Sequence, residues 1–114
     1  MDEDERAGDG VRLRRLIGVI VEDRVSFTLF RAAIADISST GMRLISDQYL
    51  PKGTSYTFSM KRSPLLVARG EVRWVRPLER DTFQVVVLFA AMPEADRRKL
   101  QSFLDIERRR VPTP

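Results

Sequence analysis

Leu66-Val67-Ala68-Arg69-Gly70-Glu71-Val72-Arg73-Trp74-Val75-Arg76 carries a clear alternation. Leu66, Ala68, Gly70, Val72 and Trp74 share one face, and Arg69, Glu71 and Arg73 share the other. Successive side chains leave a pleated backbone on opposite sides, so a period of two belongs to a strand with one face on a core. Flanking segments repeat the pattern. Tyr56, Phe58 and Met60 point together within Thr54–Met60, as do Phe83, Val85, Val87 and Phe89 within Thr82–Phe89. Leu50-Pro51-Lys52-Gly53, Lys61-Arg62-Ser63-Pro64 and the stretch from Pro77 to Asp81 separate these runs as turns.

Upstream the alternation is less regular. Leu16–Val21 is a candidate first strand with Gly18 as its bulge. Ser26–Ile37 fits a long strand or a hairpin, and Met42–Ile45 a short strand. Downstream, Pro93 followed by Glu94 and Asp96 signals a helix start. Leu100, Phe103 and Leu104 then form an apolar stripe, and Arg108, Arg109 and Arg110 close the helix at its negative dipole end. About six strands at this spacing predict a small closed or nearly closed antiparallel barrel, mainly β, with one C-terminal α-helix.

Composition narrows the function. The 114 residues are 43% hydrophobic, enough for one domain with one core. The sequence divides into an acidic, disordered leader (1–10), a domain (11–110) and a frayed tail (111–114). No stretch is apolar for long enough to span a membrane as a helix, and the acidic start lacks the features of a signal peptide, so membrane insertion is not expected. With no cysteine and no histidine, the common zinc, haem and iron–sulfur ligand sets and the Ser-His and Cys-His dyads cannot be built. The expectation is a cytoplasmic protein that is not an enzyme and carries no cofactor or metal. Residues 1–10 hold five acids against one arginine, net −4; the chain is +4, which leaves +8 for residues 11–114. Arginine supplies 17 of the 20 basic residues. Its planar fork suits phosphate and the O6/N7 edge of guanine, although an arginine-rich solvated surface gives the same composition.

Between the second and third candidate strands lies Asp36-Ile37-Ser38-Ser39-Thr40-Gly41, a D-x-S-x-x-G hexapeptide. The two oxygens of Asp36 fit the N1–H and N2–H₂ edge of a guanine, Ser38 adds a small hydroxyl, and Gly41 allows close backbone approach. Alone, the hexapeptide fits an ordinary β-turn better, since Asp and Ser start turns and Gly closes them.

In order along the chain, the hexapeptide, Leu50-Pro51-Lys52-Gly53, Arg69-Gly70-Glu71-Val72-Arg73-Trp74-Val75, Phe83–Phe89 and the Pro93–Arg109 helix resemble a PilZ domain, the bacterial module known for binding the second messenger cyclic di-GMP. The resemblance covers about residues 12–106. It implies a six-stranded antiparallel β-barrel that holds the nucleotide, often as a stacked pair of ligand molecules, with no chemistry done on it. In the family an R-x-x-x-R arm just before the first strand wraps over the ligand. No R-x-x-x-R occurs in the N-terminal region of this sequence, and Arg12-Leu13-Arg14-Arg15 stands there instead, at about the right distance upstream of Asp36.

The resemblance therefore implies a cyclic di-GMP receptor or adaptor that changes its protein-interaction surface on binding. Asp36 and Ser38 would take one guanine and Gly41 the close approach, while Arg12, Arg14 and Arg15 would clamp phosphates and bases as a loose arm. Gly70 and Arg73 are secondary candidates at the edge of the site. Arg43 is expected to matter little, and Trp74 to belong to the core. Expected partners are cyclic di-GMP and an unidentified effector protein, with a homodimer left open. The alternative is a PilZ adaptor that binds no nucleotide and acts through protein contacts. A nucleic-acid-binding barrel is disfavoured, because Tyr56, Phe58, Trp74, Phe83 and Phe89 all fall on inward faces rather than on a stacking surface.

Overall fold

The computed structural model describes residues 10–60 and 66–110. The expected leader (residues 1–9 of it), the 61–64 turn and the 111–114 tail lie outside the described residues. Six strands follow in sequence: β1 (Val11–Asp23), β2 (Thr28–Ile37), β3 (Gly41–Ser46), β4 (Ser55–Met60), β5 (Leu66–Pro77) and β6 (Phe83–Phe89). Helix α1 (Glu94–Arg110) ends the domain. The strands close into an antiparallel barrel in the order β1-β2-β3-β6-β5-β4.

The core is the inward half of each alternation. Val19, Val21, Ile34, Ile37, Leu44, Phe58, Met60, Val72, Val85 and Val87 are buried. Leu50, from the predicted turn before β4, is buried too, while Gly53 supplies the turn's left-handed residue at φ 89°. Pro93 opens α1 with its carbonyl accepting from the Asp96 and Arg97 N–H groups. Leu100, Phe103 and Leu104 all join the barrel core, as the stripe predicts.

At one end of the barrel the β1–β2 hairpin is tied by Asp23. Its Oδ1 accepts from the N–H groups of Val25 (3.0 Å) and Ser26 (3.3 Å), and its carbonyl from Phe27. The bonds from Val25 and then Ser26 hold the Asp23 carboxyl below its ordinary range. The turn presents Val25 and Phe27 almost fully to solvent, at 90% and 82% exposure, with Phe27 at φ 60°.

Three features correct the expectations above, and each is a matter of register. Gly18 is not a bulge: it pairs regularly with Ala33. The irregularity in β1 lies earlier, between Arg12↔Asp36 and Ile17↔Ile34, where β1 advances five residues and β2 two. Residues 11–15 are accordingly the first part of strand β1 rather than a free arm ahead of it. Finally, β5 has a bulge between Val72 and Trp74. Val72 and Val75 therefore both turn inward, and Trp74, expected in the core, is half-buried outside it.

Gly18 is exposed, and a Cβ built on it meets nothing within 4 Å. Gly18→Ala should therefore raise stability by about 0.5–1 kcal/mol, because alanine has less freedom to lose on folding. A urea midpoint at or below that of the parent would show that β1 needs glycine there.

Candidate functional site

Asp36 owes its position to a single extra residue. Ile34 and Ile37 are both fully buried, yet they are three apart, an odd spacing that a regular strand cannot direct to one face. A bulge at Ala35, between Ile34↔Leu44 and Asp36↔Arg43, absorbs the difference and turns Asp36 to the outer face. Asp36 then stands between Arg12 of β1 and Arg43 of β3. The row continues through Val86 of β6 to Trp74 of β5. The irregularities of β1, β2 and β5 thus all fall beside this one row.

Along the row Arg43 Nε lies 3.1 Å from Asp36 Oδ2, with side-chain exposures of 26% and 12%. That nitrogen makes no hydrogen bond of good geometry, so the attraction is mainly Coulombic. Arg43, expected to be a bystander, is thus the partner of the central acid. Reading the sequence one strand at a time missed it, because a cross-strand pair exists only once register is known.

Both residues line a groove of about 380 Å³ with Leu13, Leu16, Leu78 and Gln84. Leu13 and Leu16 come from the irregular part of β1, which puts the backbone of the Arg12–Arg15 segment at the groove's wall. The side chains of Arg12, Arg14 and Arg15 lie outside the described structure. Its volume falls within the range of small-molecule pockets, and its lining is mainly apolar beside the Asp36–Arg43 pair.

The other candidates are placed differently. Ser38 is fully buried and organises the β2–β3 turn. Its Oγ accepts from the N–H groups of Thr40 (3.1 Å) and Gly41 (3.3 Å), and its own N–H donates to the Gly41 carbonyl at 2.8 Å. Gly41 and Gly70 pair with Leu88 and Phe89 of β6 from its two sides. A Cβ on Gly41 would lie 2.2 Å from the Val87 carbonyl oxygen, and one on Gly70 2.5 Å from Val87 Cγ1. Both glycines are thus required by the close approach of β6. Arg73 is exposed at the β5 bulge and does not line the groove. Of the eight residues expected to form the site, then, the structure brings Asp36 into the groove and the backbone of the three arginines to its wall. Ser38 and Gly41 form the adjoining turn, and Gly70 packs against β6.

Among the described residues, no helix is long and apolar enough to cross a membrane. Against curated protein sequences the chain finds no match. Solved structures of similar shape do exist. K. pneumonia MrkH in its apo state superposes with a TM-score of 0.74 at 15% identity, over 85% of this chain and 48% of MrkH. The Bacillus subtilis inhibitor of motility, MotI, gives 0.71 at 12% identity, over 91% of this chain and 52% of MotI. The chain thus spans about half the length of each of these two proteins. The PilZ domain of Escherichia coli YcgR, solved with c-di-GMP, gives 0.72 at 12% identity, over 92% of this chain and 94% of that domain. At such identities the likeness is one of fold. The sequence itself matches the family model for the PilZ domain over residues 3–105, and with the six-stranded barrel and its D-x-S-x-x-G turn in place, the chain belongs to the PilZ domain family.

Proposed function

We propose that residues 11–110 form a receptor for cyclic di-GMP, which binds in the groove lined by Asp36 and Arg43. The observation that carries this reading is the bulge at Ala35, which turns Asp36, only 8% exposed, to the groove on the outer wall where a regular strand would turn it into the barrel core. A carboxylate there can accept from N1–H and N2–H₂ of one guanine. Arg12, Arg14 and Arg15 lie on the neighbouring strand segment and would meet the phosphates as charge-assisted forks. The YcgR domain, similar in fold across its whole length, is solved with this ligand. On binding, the irregular segment of β1 would settle against the nucleotide, and the altered outer face is what an effector protein would read. The ligand is bound, not transformed.

A second reading is favoured by two observations of its own. The Ser38 hydroxyl is fully engaged in its turn, and Asp36 already faces a cation. Both would suit a PilZ adaptor that has lost the ligand and works through protein contacts alone.

Isothermal titration of the folded protein with cyclic di-GMP, with GTP and cyclic di-AMP as controls, separates the two. The receptor reading expects micromolar or tighter binding that is selective for the guanine dinucleotide. A flat trace from folded protein would leave the adaptor.

A further inference from the structure

One arginine beside the groove has no part in the reading above. Arg76 pairs with Gln84 across β5 and β6. Its Nε donates to Gln84 Oε1 at 2.9 Å, and its guanidinium carbon lies 5.3 Å from the centre of the Trp74 ring. The two contacts fix different degrees of freedom: the hydrogen bond orients one edge of the fork, and the indole supports its face. Gln84 is itself buried and lines the groove with Asp36 and Arg43, so the fork is held at the groove's margin. Among the described residues no carboxylate pairs with Arg76. An arginine held in one orientation on a strand, with no acid beside it, has already met much of the ordering cost of gripping an anion.

We infer that Arg76 is a phosphate-binding residue of this groove and takes one phosphodiester of the dinucleotide with the outer edge of its guanidinium. The inference rests on the cyclic di-GMP reading. It places a cation on the rigid barrel wall in a chain that lacks the R-x-x-x-R arm. Asp36 on β2 and Arg76 on β5 are separated by β3 and β6, about three strand spacings or ~14 Å. Asp36 and Arg76 therefore address different parts of one ligand, base and phosphate, rather than compete for the same group. The bulge that turns Trp74 outward is what gives Arg76 its support.

Titration of cyclic di-GMP into the parent and into Arg76→Ala, Arg76→Lys and Gln84→Leu, each at low and high salt, tests it. Arg76→Ala should bind about tenfold more weakly, with a shallower salt dependence, because one charge-assisted contact is gone. Gln84→Leu keeps the charge but frees the fork, so it should bind about threefold more weakly with the salt dependence unchanged. If the parent binds while Arg76→Ala stays within about twofold of it at both salt levels, the assignment of Arg76 is overturned and the receptor reading survives. If the parent itself does not bind, the receptor reading fails and Arg76 falls with it. Should Arg76→Ala fail to fold by circular dichroism, parent-like binding by both Arg76→Lys and Gln84→Leu would overturn the inference.

Discussion

Gly41→Ala should destabilise the barrel by about 3 kcal/mol or more, lowering the melting temperature by roughly 10–20 °C. A methyl on Gly41 would lie 2.2 Å from the Val87 oxygen, 3.2 Å from the Val87 carbonyl carbon and 3.3 Å from Leu88 Cα. All three atoms are backbone. No rotamer change can relieve the overlap, so β3 and β6 must move apart where Gly41 pairs with Leu88. That strain would spread into the β2–β3 turn, where the Gly41 N–H donates to Ser38 Oγ and the Gly41 carbonyl accepts from the Ser38 N–H. Thermal melts of Gly41→Ala and Gly18→Ala side by side are the check, since the second substitution meets open space. Two variants with the same melting temperature would mean that β6 does not press on Gly41 as described. The prediction also separates two roles for the last residue of the hexapeptide. A glycine needed only for ligand approach would cost binding and leave stability alone.

Asp36→Ala should weaken cyclic di-GMP binding by about 100-fold or more, since two charge-assisted bonds at about 1.5–3 kcal/mol each are lost. It should also erase the preference for guanine over adenine, because the carboxylate is the group that distinguishes N1–H and N2–H₂ from an adenine edge. The change also costs stability, because Asp36 is buried and faces an Arg43 Nε that is itself shielded from solvent, so folding of the variant is confirmed by circular dichroism before titration. Arg43→Ala should have a smaller effect on binding, in contrast to the negligible one expected from sequence, because it removes the charge that steadies the carboxylate. The measurement is a paired titration with cyclic di-GMP and cyclic di-AMP. Parent-like affinity and selectivity in Asp36→Ala would show that the groove is not where the guanine is read.

Most of the fold was legible in the sequence because strand alternation and helical spacing are local. Tyr56-Phe58-Met60 and Leu66-Ala68-Gly70-Val72 each point one way and do so in the barrel, and Leu100, Phe103 and Leu104 dock as their spacing predicts. The misplacements share one cause, which is that a bulge belongs to a pair of strands and not to a strand. Trp74 continues a regular alternation on paper, and only the requirement that Val72 and Val75 both face Val87 and Val85 puts it outside. A signal was there to be used: Ile34 and Ile37, like Val72 and Val75, are apolar residues at odd spacing in otherwise period-two strands. The candidate site was legible in part. Asp36 was found from its motif, but Arg43, Gln84 and Arg76 become neighbours only through β3, β5 and β6, whose order in the barrel no local pattern reveals. The argument against nucleic acid from inward aromatics weakens by one residue, since Trp74 faces outward, where the Arg76 guanidinium covers its ring.

Closure of the barrel limits how this protein can be recognised. An open sheet offers a free edge onto which a partner peptide can add as another strand, contributing main-chain hydrogen bonds with little regard to sequence. With β4 pairing Val19–Glu22 of β1, the ring closes, and among the described residues no whole strand is left as an open edge. An effector of the kind proposed would instead distinguish the domain mainly by its side chains, on the outer wall or at loops such as the hairpin that carries Val25 and Phe27. Recognition of that kind depends on surface shape and charge, which a bound nucleotide on the wall would alter directly, without any strand having to change its neighbours.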